Sequence, residues 1–291
     1  MELKNEFSEE SGEPEYPLIF TRYLYPKIYV KQSLFLSLLD KKYDESLFWA
    51  YELYFSGFKD ETYNYIFDIY NNIYKSNYPN LQNFIENTHN DWLKNNDQDW
   101  LIGSIVGTLS KCNFCLTKFI QDYLHVTCKL DQNISLNNKK IFIIKLKEKD
   151  IDNYKTKYYS PIRDCLRIVC KYPVRNECNN IFKSDIRELR DNFYYNWLFY
   201  ACQSPLWLEN LHNYNGRINI ITNQIEFDDE NSEEDFYEKW NLEPDEQPLE
   251  IQNKIIGSQD CLQINLKEFC EKYGSPLLTK KIQRNFEKLK I

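Results

Sequence analysis

The sequence predicts a mainly α-helical fold: an irregular antiparallel helical stack or a HEAT-like α-solenoid, with a small β-hairpin in the C-terminal half. Three observations carry that prediction. Apolar side chains recur at spacings of three and four through most of residues 28–126. Glycine is scarce, at 7 of 291 residues, which argues against a turn-dense all-β chain and against a glycine-rich phosphate loop. The joints between the apolar stripes are short, so successive helices run antiparallel. No fixed period or repeated consensus accompanies them, so a repeat array and an irregular bundle both stand.

Residues 1–16 carry six glutamates against Lys4 and read as a flexible acidic tail. Residues 16–29 are aromatic and interrupted by Pro17 and Pro26, which suits an extended run across the first helices. Residues 30–39 form a short amphipathic helix. The central helix spans residues 43–56, with Leu47, Tyr51, Tyr54 and Phe55 on one face and Asp44, Glu45 and Glu52 left for water or the helix N-terminus. Gly57 supplies a left-handed closing residue, followed by apolar Phe58. Further helices are expected at 59–75, at 80–94 (Leu81, Phe84, Ile85, Trp92 and Leu93 apolar), at 99–109 and at 113–126.

The character changes at the polar segment 129–138. Residues 139–147 fit a short strand or a helix continuing to Ile151. Ser160-Pro161 reads as a helix start, with serine as N-cap and proline at the first position. That helix carries Ile162, Cys165, Leu166, Val169 and Cys170. A long helix is expected at 185–203, and another begins at Ser204-Pro205 and runs to His212. Asn215-Gly216 marks a turn before a hairpin centred on Asn223. The acidic run 228–235 reads as a solvated loop or helix start, and three terminal helices follow at 249–256, 262–273 and 276–291. The expected domain plan is the tail 1–16, an N-terminal helical domain 17–128, and a mostly helical C-terminal domain 129–291 with an acidic loop at 228–248. A single domain over both larger units is the alternative.

A net charge of −8 excludes a global basic field that would draw the chain to nucleic acid or an anionic membrane. No apolar run reaches the ~18–20 residues a bilayer span requires, and the acidic start does not resemble a secretory signal. An intracellular protein is the expectation. Nine cysteines, an odd number, fall inside apolar stretches and read as reduced, buried small hydrophobes.

The best metal pattern is Cys112, Cys115, His125 and Cys128, four zinc-ligand types in sequence order. A rigid helix between Cys115 and His125 would hold them about 15 Å apart, so buried thiols are favoured and no metal or cofactor is expected. Cys165, Cys170 and Cys178 lie among arginines that can lower a thiol pKa, yet no histidine pairs with them by spacing. The carboxylates of 226–246 lack the glycine of a calcium loop. Arg163, Arg167, Lys171, Arg175, Arg187 and Arg190 outline a basic face for phosphate backbone, or else pair with Asp164, Asp185, Glu188 and Asp191. Trp49, Tyr195, Trp197 and Trp207 exceed one helix stripe and are candidate protein-binding anchors.

The stretch Glu45-Ser46-Leu47-Phe48-Trp49-Ala50-Tyr51-Glu52-Leu53-Tyr54-Phe55-Ser56-Gly57-Phe58, with Leu242-Glu243-Pro244-Asp245-Glu246-Gln247-Pro248, resembles proteins of no assigned function from giant DNA viruses of amoebae and algae. The resemblance spans most of the chain and implies a viral protein working in host cytoplasm. It carries over no site residues. The function expected is a non-enzymatic scaffold or adaptor binding other proteins, for instance in viral gene expression such as translation initiation. The alternative is a nucleic-acid-binding factor using the 163–190 basic face.

Overall fold

The computed structural model describes residues 17–126 and 141–274. The acidic tail 1–16, the polar segment 129–138 with Cys128, and the basic helix at 276–291 lie outside the described residues, as does the 128/129 boundary.

α1 (Lys27–Leu39) and α2 (Tyr43–Tyr54) form a hairpin closed by Lys41 at φ 55°. Every residue of α2 from Glu45 to Tyr54 is buried, because α1, α3 (Lys59–Ile69) and α5 (Trp100–Lys111) all pack on it. Contact between α2 and α5 skips two intervening helices, which is the packing of an irregular stack. At the end of α2 the Phe58 N–H donates to the Leu53 carbonyl, and that of Gly57 to Tyr54. With Gly57 at φ 94°, these are the paired bonds of a glycine-closed helix, as the sequence predicts. A Cβ on Gly57 would also stand 2.6 Å from that of Pro205.

α3 continues as one π turn, Tyr70–Tyr74, whose widened geometry sends Tyr70, Ile73 and Tyr74 into the core. α4 (Leu81–Lys94) follows, but Leu93 is 55% exposed and not part of its apolar stripe. α6 (Thr117–Tyr123) is shorter than expected, since the Cys115 N–H is drawn to the Ile73 carbonyl and keeps residues 113–116 out of the helix.

In the second half, a 3₁₀ turn at Ile162–Asp164 leads into α7 (Cys165–Val169), so Pro161 flanks a 3₁₀ turn and Ser160 caps nothing. α8 (Asn179–Phe182) is a single turn. The long helix expected at 185–203 is divided into α9 (Leu189–Tyr195) and α10 (Trp197–Ala201), entered at Glu188 (φ 52°) and broken at Asn196 (φ −129°). Across the break Phe193 meets Phe20 and Trp197 meets Trp207. α11 (Pro205–His212) starts with Ser204 as flanking residue and Pro205 at the first position, as predicted. β1 (Gly216–Asn219) pairs antiparallel with β2 (Gln224–Phe227), Gly216 opposite Phe227, and Asn223 turns at φ 54°.

Of the two readings of the acidic run, loop or helix start, the structure has the helix start, while residues 241–248 are irregular apart from a 3₁₀ turn at Pro244–Glu246. Asp229 accepts from the Ser232 N–H and starts α12 (Glu230–Trp240), whose Phe236 and Trp240 dock on the body. α13 (Leu249–Ile256) and α14 (Leu266–Tyr273) complete the fold; α14 begins late, leaving Leu262 88% exposed.

One hydrophobic cluster runs from Leu18 to Tyr273, and residues 19–26 pass through it. Arg22 and Glu52, 1% and 0% exposed, form an ion pair there, Nε to Oε2 at 2.9 Å. Glu52 is therefore a core residue, contrary to the expectation that it faces water. It also accepts from the Thr21 hydroxyl and the Tyr23 N–H. Arg22 donates to Thr156 as well, and lies over the rings of Tyr23 and Phe55. Replacing Arg22 by Met should destabilise the chain by about 3–5 kcal/mol in urea titration, because Glu52 is left charged and buried. Adding Glu52→Gln should restore part of that loss; equal melting of the wild type and Arg22→Met would contradict it.

Candidate partner-binding surface

Residues 141–147 form neither a strand ladder nor a helix. They run extended along α5, in the opposite direction. The Ile144 N–H donates to the Thr108 hydroxyl at 3.0 Å and the Leu146 N–H to the Ser104 hydroxyl at 2.9 Å. Two extended residues advance about 6.6 Å and four helical residues about 6 Å, so the two repeats stay nearly in step. Each hydroxyl donates back into its own helix, Ser104 to the Trp100 carbonyl and Thr108 to the Ser104 carbonyl. That leaves its oxygen lone pairs for the passing amide. Gly103 and Gly107 open the groove: a Cβ at 103 would overlap the Tyr51 hydroxyl and lie 2.8 Å from Leu146, and one at 107 would lie 3.4 Å from Ile144.

The register that sets 144 beside 108 carries 142 to the level of Cys112, past the last turn of α5. Phe142 is accordingly 81% exposed, with Ile143 at 45%. Other exposed apolar side chains include Ile220 and Ile221 at the hairpin tip, Tyr195 at the end of α9 and, elsewhere in the sequence, Leu93, Tyr159, Ile168, Leu249 and Leu262.

Of the four expected anchors, only Tyr195 reaches solvent. Trp49 and Trp207 are fully buried and Trp197 nearly so. Trp49 sits edge-on to Tyr25 and Phe48, and Trp207 edge-on to Trp197 and Trp240 while its indole N–H donates to the Thr21 carbonyl. These rings are core because aromatic residues take the volume that aliphatic ones usually fill.

The basic residues do not make one face. Arg163 pairs with Glu243 and Glu246, Arg167 with Asp164 and Gln247, and Arg175 with Asp40 and Glu177. Arg190 turns to Tyr194 and to Gln252 and Asn253 of α13. Lys171 and Arg187 are exposed. The Arg167–Asp164 pair is a local one the spacing predicts, whereas Arg163 and Arg175 reach carboxylates brought in by the fold, Glu243 and Glu246 for the one and Asp40 for the other.

Among the described residues no group of three or more His, Cys, Asp or Glu is placed to hold a metal ion. Cys112 is buried with its thiol on the Thr108 carbonyl, Cys115 is half-buried, and His125 is exposed at φ 52°. Of the carboxylates of 226–246, Glu226 and Asp228 pair with Arg217, Asp229 accepts from the Ser232 N–H as a cap, and Glu243 and Glu246 pair with Arg163. Burial raises the thiols of Cys165 and Cys170 and pushes Cys178 and Cys202 up to about 12, the reverse of an activated nucleophile. An open cleft of about 650 Å³ is lined by Lys42, Asp44, Glu45, Tyr172, Arg175 and Cys261 among others. Its charges are mixed, and Lys42 and Arg175 already pair with Glu45 and Glu177.

Comparison with protein-family models, curated proteins and solved structures finds no match. No helix among the described residues is long and apolar enough to cross a membrane.

Two expectations test this geometry. Thr108→Val keeps the shape but removes the acceptor for Ile144, and should weaken the 141–147 contact by about 1–3 kcal/mol. Hydrogen exchange at that amide, read by mass spectrometry, should accelerate about fivefold or more; unchanged exchange would break the assignment. Alkaline pH is the second. Burial raises Cys178 and Cys202 from 9.0, and Tyr23 and Tyr29 from 10.0, to about 12. The fold therefore favours their neutral forms, and this contribution is complete below pH ~9 and lost as pH climbs towards ~12. Melting temperature should be level near neutrality and fall above pH ~9, less steeply in Cys202→Ala.

Proposed function

We propose that this chain is a non-enzymatic helical adaptor that binds another protein. The observation that carries the reading is the pair Phe142 and Ile143, held out to solvent on a segment pinned to α5 rather than folded away. Large apolar side chains on an anchored surface segment favour a protein contact. Consistent with that reading, six of the eight described thiols are buried, and Arg163, Arg167, Arg175 and Arg190 are engaged within the chain. The resemblance to giant-virus proteins adds host cytoplasm as the proposed setting, with viral gene expression as the proposed process.

The test is a photo-cross-linking residue at Phe142 in the full chain, expressed in cells, with Leu93 as an exposed control position. A discrete protein adduct from position 142 and none from 93 is the expected result. A salt titration with labelled RNA and DNA runs beside it. Steeply salt-dependent binding that disappears on Arg163, Arg167 and Arg175→Ala, with no protein adduct, would replace the adaptor reading by the nucleic-acid one.

A further inference from the structure

The strap 141–147 presents two edges, and only one is used. The N–H groups of Ile144 and Leu146 turn towards α5 and are accepted by Thr108 and Ser104. In extended backbone the N–H groups of alternate residues point the opposite way, so those of Ile143 and Lys145 face away from the helix. Among the described residues neither has an acceptor. Residues 143, 145 and 147 also place their side chains outward, and Ile143, Lys145 and Lys147 are exposed. An extended segment with an open edge is a template for another strand.

Resting on the adaptor reading, we infer that this outer edge takes an extended acidic segment of the partner protein as an added strand. Main-chain hydrogen bonds would run to Ile143 and Lys145, the pairing by which extended peptides join exposed edges. Charge fixes the kind of strand. The segment 141–147 holds two lysines and no acid, and among the described residues neither lysine pairs with a carboxylate. The acids next along the chain are engaged, Asp150 with the Lys147 N–H and Glu148 with Lys155. Acidic side chains opposite Lys145 and Lys147 would form favourable cross-strand pairs. A second copy of the same strap would instead set lysine against lysine, which disfavours self-pairing. Phe142, uncovered at the start of the strap, gives the incoming strand an apolar stop.

The probe is a fluorescein-labelled peptide of about ten residues alternating glutamate and valine, titrated with the full chain and read by anisotropy. Saturable binding is expected, weakened at least tenfold by methylating the central amide nitrogens of the peptide. A similar loss is expected in a K145E/K147E chain, whose circular dichroism should match the wild type because both positions are exposed. A peptide alternating lysine and valine should bind the wild type at least tenfold more weakly. No saturable binding, or binding indifferent to N-methylation, overturns the proposal. So does a concentration-dependent dimer in sedimentation that K145E/K147E abolishes, which would make the occupant a second copy. So too would labelled RNA that binds through Lys145 and Lys147 while the acidic peptide does not. A protein adduct at position 142 alongside a failed peptide titration would sink the strand pairing and leave the adaptor reading standing.

Discussion

The charge pair between Arg22 and Glu52 holds the loop on which both halves of the chain converge. Taken alone, a buried ion pair is weak grounds for stability, because desolvation offsets most of the attraction. Its value here is positional. Glu52 receives Thr21, Arg22 and Tyr23 together, so one carboxylate on α2 fixes three successive residues of an irregular segment. Once that loop is fixed, partners from far along the chain have fixed targets. Tyr200 accepts from the Phe20 N–H, Trp207 donates to the Thr21 carbonyl, and Thr156 and Lys157 meet Arg22 and Tyr23. An irregular loop at the centre of a helical core has main-chain groups that no helix satisfies, and here side chains and loops from the second half satisfy them.

The same logic explains why the core is so rich in tyrosine without being poorly packed. A tyrosine fills the volume of a phenylalanine, but its hydroxyl needs a partner when buried. Many hydroxyls find one on a different element: Tyr25 on the Tyr172 carbonyl, Tyr65 on that of Lys31, Tyr54 on the Asp99 carboxylate. Each such bond ties two elements at a defined height, which compensates for irregular helix lengths. Tyr54 also accepts from the Trp92 indole, so α2, α4 and the start of α5 meet at one hydroxyl.

What could be read from the sequence was whatever depends on near neighbours. The stripes of α2 and α4, the Gly57-Phe58 closure, the Ser204-Pro205 start and the hairpin at Asn223 each rest on residues a few positions apart. What could not be read depends on distant partners. Glu52 looks like a solvent-facing residue until Arg22 is folded against it, and Arg163 looks like part of a phosphate-binding stripe until Glu243 and Glu246 arrive. The tryptophans were misplaced for a related reason: the surplus over one stripe signals burial on several sides as readily as exposure, and the cover for Trp49 includes Tyr25 from outside its helix. The break at Asn196 is hidden because the apolar pattern of 185–203 runs through it without interruption.

The strap shows a local pattern whose partner lies far along the chain. Gly103, Ser104, Gly107 and Thr108 put small or hydroxyl residues one turn apart on an otherwise apolar helix, a face too shallow for another helix side chain to fill. An extended chain fits it, and the hydroxyls supply acceptors at nearly the spacing of alternate amides. Such an arrangement holds one edge of the chain and cannot hold both, because the helix lies on one side only. The segment is thus rigid enough to present an edge at a set angle, and its outward lysines discourage the self-pairing that an exposed strand otherwise invites. An edge that is both ordered and protected from its own kind is the physical condition for selective pairing with a strand of opposite charge.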